Sequence, residues 1–208
     1  MMKRLAIEGA GLGAYAGTLG MNGSEELIAR ARLGEDEAFQ SIFDRYSRPI
    51  LSFIYDMIGK RDVAEELAQE TFVRAYKGLG GLNDADKLST WLFGIARNCA
   101  LEHLRAHRRE SNKVEMDDPL VLNLSNSEPL PEGELLNKEF NEVIRRALEA
   151  LDEDKRTVFT LKVFHQRSYE EIADITGFSI PKLKTDLHRA RREMRRRIRP
   201  YLGTSYEV

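Results

Sequence analysis

From Ala38 onward the apolar residues Phe39, Ile42, Phe43, Tyr46, Ile50, Phe53, Ile54 and Met57 recur every three or four positions. That spacing lines one face of an α-helix. Pro49 falls inside the run and predicts a kink or a split, because proline lacks an N–H and its ring crowds the preceding turn. A second helix is announced by Asp62 and Glu65, spaced like a capping box, and it turns Ala64, Leu67, Ala68, Thr71, Phe72 and Ala75 inward. The glycines at 78, 80 and 81 stop it. A third helix begins after Ser89, with Trp91, Leu92, Ile95, Ala96 and Cys99 on its core side and a basic end. Periodicity resumes at Phe140, Val143, Ile144, Ala147, Leu148 and Leu151, and no strand pattern of useful length appears anywhere.

The fold class expected is therefore all-α, with two small helical domains joined by a flexible linker. The first spans residues 24–109 and the second 136–202, with residues 1–23 a disordered leader or misassigned start and 203–208 a tail. The linker, 110–135, contains Pro119, Pro129 and Pro131 among several Asn and Ser.

The C-terminal domain is expected to be a helix-turn-helix. Ser168 and Glu171 make an S-x-x-E capping box for a short helix, and Gly177 is placed to end it in the left-handed conformation. Ser179 then caps the next helix, with Pro181 tolerated in its first turn. Along that helix Leu183, Leu187, Ala190, Met194 and Ile198 repeat as a buried stripe, which leaves Pro181, Lys182, Thr185, His188, Arg189 and Arg192 on the opposite face. Ser179 and Lys184 complete the set of duplex candidates. Lys and Arg neutralise phosphates or reach guanine edges, and Thr bonds base or backbone.

Charge sharpens this picture. The net of −2 over 208 residues disguises an uneven distribution: Lys155 to Arg199 holds 13 basic and 5 acidic residues, while Glu110 to Glu139 holds 2 basic and 8 acidic. A basic end is the electrostatic footprint of a nucleic-acid partner. The single cysteine, Cys99, excludes an internal disulfide and a cysteine-cluster zinc site, and suits a reducing cytoplasm. The leader contains "GAGLGA", a match to a dinucleotide-binding fingerprint, but no alternation of strands and helices follows it. Glu8 and scattered glycines also interrupt any secretory core, and Met21 offers an alternative start. No metal, cofactor, small-molecule substrate, membrane insertion or enzymatic activity is expected: there is no P-loop and no histidine and carboxylate cluster.

Two further polar surfaces stand out. "DVAEELAQETFVRAY" exposes Asp62, Glu65, Glu66, Gln69, Glu70 and Arg74, either as an ordinary wet face or as a docking face for a protein. The third helix carries Arg97, Asn98, Arg105, Arg108 and Arg109 and follows a loop with Asn83, Lys87, Ser89 and Thr90 beside Trp91. A basic helix next to an aromatic suits a single strand, because stacking and phosphate neutralisation act together.

Three blocks, "RDVAEELAQETFVRAYKGL", "LSTWLFGIARNCALEHLRAHRR" and "ALEALDEDKRTVFTLKVFHQRSYEEIADITGFSIPKLKTDLHRARREMRR", occur in this order, and at these residues the chain resembles the extracytoplasmic-function group of bacterial RNA polymerase sigma factors. The resemblance covers about Glu25 to Arg199 and implies two domains, region two and region four. It implies that Asp62, Glu66, Gln69, Glu70 and Arg74, with Glu65 beside them, dock on core RNA polymerase. It implies that the segment from Lys87 to Arg97 captures a flipped base of the minus-ten element while Arg105, Arg108 and Arg109 hold the backbone, and that the helix from Ser179 reads the minus-thirty-five duplex of promoter DNA. An anti-sigma factor clamping both domains is a further partner it implies. Pro181 and Lys182 depart from the small or hydroxyl residues common in the family, and Asp186 stands where a basic residue is usual. Asp186 would accept from a cytosine amino group or repel phosphate. The competing reading is a freestanding helix-turn-helix transcriptional regulator, which has no need of the acidic face.

Overall fold

A computed structural model describes the backbone of residues 21–82, 84–114 and 132–201, and the side chains of 25–82, 84–109 and 140–201. Residues 1–20, 115–131 and 202–208, where a leader, part of a linker and a tail are expected, lie outside the described residues. Among those described, every regular element is helical.

The N-terminal unit, where region two is expected, is built from α1 (Met21–Arg32), α2 (Asp36–Ile58), α3 (Arg61–Gly78) and α4 (Leu88–Val114). Helix α1 is absent from the periodicity argument because it contributes few apolar side chains, chiefly Leu27, Ile28 and Ala31, yet Ile28 and Ala31 are buried against the rest. Its first residues, 21–23, fall in the span expected to be leader. Pro49 does not split α2, which runs unbroken to Ile58 and buries Ile42, Ile50, Phe53, Ile54 and Met57. The capping box expected at Asp62 does not form: Lys60 is the N-cap without a side-chain bond, and Glu65 instead accepts from Arg61 Nε at 2.9 Å. Arginine one turn upstream offers a charged donor, which outcompetes a backbone N–H for the same carboxylate.

The C-terminal unit, where region four is expected, contains α5 (Glu132–Glu149), α6 (Glu153–Phe159), α7 (Tyr169–Thr176) and α8 (Ile180–Ile198). Both α4 and α5 reach into the span expected to be linker, so that expectation bears only on residues 115–131, outside the described residues. Between α6 and α7 the chain widens into one π-helical turn, Thr160–Phe164, and reverses through Gln166 at φ 53°. The capping box at α7 forms as expected: Glu171 N–H donates to Ser168 Oγ at 3.0 Å and Ser168 N–H to Glu171 Oε2 at 2.7 Å. Gly177 closes α7 at φ 73°, a conformation that costs a side chain with a Cβ. Ser179 is the N-cap of α8 by backbone but makes no side-chain cap bond.

The two regions share one continuous apolar cluster. Helix α4 crosses α7 where Gly94 brings the backbones together, an ideal Cβ there lying 4.0 Å from the Ile175 carbonyl oxygen. The π-helical turn delivers His165 between Phe53 and Phe93, with ring centroids 5.7 and 5.4 Å away, and His165 Nε2 lies 3.3 Å from Asp56 Oδ2. Arg156, 7% exposed, donates to the carbonyls of Met57, Glu149 and Leu151, at the ends of α2 and α5. Carbonyls left unpaired at helix ends are natural acceptors for such a cation.

Candidate functional site

Helix α3 presents its polar row outward. Asp62, Glu66, Gln69 and Glu70 are exposed, while Ala64, Ala68, Thr71, Phe72 and Ala75 face the core. Glu70 accepts from Arg74 Nε at 2.8 Å, and Arg74 also reaches Glu102 of α4 at 2.9 Å, so this arginine bridges two helices. Val73 and Tyr76, 37% and 49% exposed, extend the same face at helical spacing. They escape a reading that looks only for charge. The signal that reveals them is position, since 66, 69, 73 and 76 step by three and four. Cys99 lies buried behind this face, and burial pushes its thiol up against the opposing pull of Thr71 and Arg74.

The strand-capture candidates separate into two rows on α4. Trp91, Asn98, Arg105 and Arg109 follow one another at helical steps, and Thr90, Arg97 and Arg108 lie about a quarter-turn round, a consequence of about 100° per residue. The second row meets region four. Arg97 is half-buried with its guanidinium 5.5 Å from the Phe178 ring, and burial lowers its pKa from the usual arginine range. Arg108 pairs with Glu153 at 3.2 Å, and Arg105 reaches the same carboxylate at 3.6 Å. Before the helix, Lys87 pairs with Asp174 at 3.1 Å. Ser89 Oγ accepts from Arg167 Nη2 at 2.8 Å, while the Arg167 guanidinium lies 4.4 Å from the Phe93 ring. Trp91 is partly buried with its ring edge 3.4 Å from an ideal Cβ on Gly78, so it packs against the core along one side. Asn98 and Arg109 are exposed. Asn83 lies outside the described residues.

Helix α8 behaves as its stripe predicts. Leu183, Leu187, Ala190 and Met194 are buried; Ser179, Pro181, Lys184, Thr185, His188, Arg189 and Arg192 are exposed. Thr185 Oγ1 donates to the Pro181 carbonyl at 3.0 Å. Among the described residues, the ion pairs of α8 involve only Lys182, Asp186 and Glu193. A cationic outer face backed by an apolar seam can lie along a duplex groove and neutralise phosphate.

Comparison with known proteins decides between a freestanding regulator and a polymerase subunit. Residues 42–110 match the sigma-70 region 2 family and residues 141–194 the sigma-70 region 4 family. The chain is 30% identical over 184 residues to the RNA polymerase sigma-H factor of Pseudomonas aeruginosa, covering 86% of this chain and 95% of that protein. It belongs to the extracytoplasmic-function group of RNA polymerase sigma factors. The ECF sigma factor SigW of Bacillus subtilis is likewise 30% identical over 177 residues, 83% of this chain and 95% of that one. Among solved structures, the sigma factor RpoE in complex with the anti-sigma factor NepR from Bartonella quintana superposes with a TM-score of 0.61 at 26% identity, over 77% of this chain and 96% of that chain. CnrH in complex with the cytosolic domain of CnrY shares the fold, with a TM-score of 0.60 at 21% identity over 88% of this chain and 99% of that one. As a sigma factor the chain directs promoter-specific initiation by RNA polymerase, and both of its family regions carry the surfaces described above. No helix of the described residues is long and apolar enough to cross a membrane.

Proposed function

We propose that the exposed row on α3, Asp62, Glu65, Glu66, Gln69, Glu70 and Arg74, with Val73 and Tyr76 beside it, is where core RNA polymerase docks. Lys87, Ser89, Thr90, Trp91, Arg97 and Asn98 capture the minus-ten strand, and Arg105, Arg108 and Arg109 hold its backbone. Ser179, Pro181, Lys182, Lys184, Thr185, His188, Arg189 and Arg192 supply the side of α8 that meets the minus-thirty-five duplex. Region two then corresponds to residues 24–109 and region four to 136–202. The chain performs no covalent chemistry; it acts in the cytoplasm as a specificity subunit. An anti-sigma factor is its third partner, a reading supported by RpoE, which was solved in complex with the anti-sigma factor NepR.

The observation that carries the reading is an acidic, solvent-facing helix and a cationic groove helix on one chain. A freestanding regulator requires only the second. Glu66→Lys and Glu70→Lys test it, because both positions are exposed and neither substitution disturbs the core. Each is expected to abolish binding to core polymerase in a pull-down and run-off transcription, while the chain's own affinity for duplex DNA stays within about twofold, as expected for a charge remote from the contact. Unchanged polymerase affinity in both variants would refute the docking assignment.

A further inference from the structure

Lys182 stands in the first turn of α8, where a recognition helix brings side chains to base edges. Its ammonium points elsewhere. Nζ lies 2.9 Å from Asp154 Oδ2 and 2.6 Å from Asp186 Oδ2, and 3.8 Å from the centroid of the Phe178 ring. Two carboxylates and one aromatic face thus surround a single positive charge. Burial alone would lower the lysine's pKa, but the bonds to Asp154 and Asp186 outweigh it and raise the value, so the charge stays in place.

Helix geometry explains the diversion. Pro181, Thr185, His188 and Arg192 line one edge of α8, with Arg189 bordering it, whereas Lys182 and Asp186 sit four residues apart on the flank toward α6. Asp186 is 8% exposed beside Leu183 and Leu187, so its carboxylate is fixed in the seam between the two helices. A carboxylate buried there requires a cation, because an unpaired buried charge is far costlier than a paired one. Lys155 makes a second fastening across the same seam, to Glu193 at 2.9 Å. Asp186 therefore neither faces a cytosine nor repels phosphate in this arrangement.

We propose that Asp186 sets the reading surface of α8 by drawing the Lys182 ammonium out of the groove, so that Lys182, alone among the residues grouped on that side above, fastens α8 to α6 and the phosphate contacts fall to the cations beyond it, Arg189 and Arg192 foremost. Asp186 is a positioning residue. This deepens, and rests on, the reading of α8 as the duplex-binding helix. Near the start of the helix Pro181 has no N–H to give, and the Thr185 hydroxyl is bonded to the Pro181 carbonyl.

The test measures the full-length chain binding a fluorescent duplex of mixed sequence at a series of salt concentrations. The slope of log affinity against log salt counts the cations that neutralise phosphates, changing by about 0.9 for each contact. Lys182→Met is expected to leave the slope unchanged, whereas Arg189→Met and Arg192→Met each flatten it by about one contact. Asp186→Asn is expected to steepen it toward one further contact, since an exposed partner such as Asp154 holds a lysine only weakly, and the double variant with Lys182→Met should return to the parent slope. Thermal unfolding provides the second readout: Lys182→Met lowers the midpoint and Arg189→Met does not. Should Asp186→Asn fail to fold, the slope of Lys182→Met set against that of Arg189→Met carries the test by itself. A Lys182→Met slope flattened as much as that of Arg189→Met overturns the proposal and leaves α8 as the duplex helix. If none of the three cation variants changes the slope, the duplex-helix reading itself fails, and this inference with it.

Discussion

Helices α3 and α4 each carry a polar row that reads as a binding surface, and folding treats the two rows differently. On α3, Asp62, Glu66, Gln69 and Glu70 remain in water. On α4 and the turn before it, Lys87, Ser89, Arg97, Arg105 and Arg108 each meet a side chain of region four: Asp174, Arg167, Phe178 and Glu153. The cause is the crossing of α4 over α7 at Gly94, which lays region four along that row, whereas α3 packs into region two and leaves its outer side open. Glu153 and Asp174 are the carboxylates that pair with these cations. A cationic row attracts whichever anion is nearest, and a chain can supply its own. Under the proposed strand capture, Lys87, Arg97, Arg105 and Arg108 exchange these contacts for contacts with DNA.

The contrast can be broken most severely at Arg156. Replacement by Met removes donors from three carbonyls at the seam, two of them in buried bonds, and is expected to cost about 3 kcal/mol in urea unfolding, the scale of a charged hydrogen-bonding group lost from a buried site. A loss below about 1 kcal/mol would show that water takes over those carbonyls at little cost.

A gentler break leaves the fold intact. Glu153→Lys combined with Asp174→Lys turns the pairs with Arg105, Arg108 and Lys87 into repulsions, worth about 1 kcal/mol or less at the exposed Lys87–Asp174 pair and more at Glu153, whose side chain is 17% exposed. Hydroxyl-radical labelling of Phe178 and His165, which the seam covers, should rise in this variant, while Tyr76 on the open face stays constant. Added salt should shrink the difference, since screening weakens exposed repulsions. Equal labelling of Phe178 before and after would mean that apolar packing alone keeps the row covered.

The smallest expected effect concerns acid. Burial works to raise the Glu171 carboxyl, but the Ser168 N–H and the Arg167 guanidinium prevail and hold it below the usual carboxylate range. Its folded value lies under its unfolded one, so its stabilisation is complete above the unfolded value, about 4.3, and is lost as pH falls through the folded value. Since Arg167 also ties region four to Ser89, protonation loosens the helix-turn-helix and its hold on α4 together. Glu171→Gln should flatten the acid limb of the stability curve by about 0.5 kcal/mol, discounted for the solvent that reaches this side chain. An unchanged acid limb would assign the acid sensitivity to other carboxylates.

Much of the helix-turn-helix was legible in the chain because its signals are local. Ser168, Glu171 and Gly177 form their caps within one turn of themselves, and the stripe from Leu183 to Met194 depends only on the helical repeat. Local signals also failed in specific ways. Glu65 bonds Arg61 rather than closing a box with Asp62, because a charged donor lay one turn away. The π-helical turn at Thr160–Phe164 sits in a run where Val158, Phe159 and Leu161 are apolar without a helical face, so periodicity had nothing to report. Phe93, buried completely, sits on the stripe of α4 with Ala96 and Ala100, where the rings of Phe53 and His165 pack against it, whereas the expected Trp91 and Ile95 are only partly buried.

What the sequence determined by itself is the helical class, the order of the three blocks that place the chain in its family, and the kinds of side chain each surface offers. These depend on neighbours within a few residues. Only the tertiary structure decided which of those side chains are free: Lys182 is held by Asp154 across 28 positions, His165 meets Asp56 across 109, and Asp186 is drawn into a seam. The physical reason is that an ion's partner is chosen by distance in space, and the distance is set by how amphipathic helices bury their apolar sides against one another.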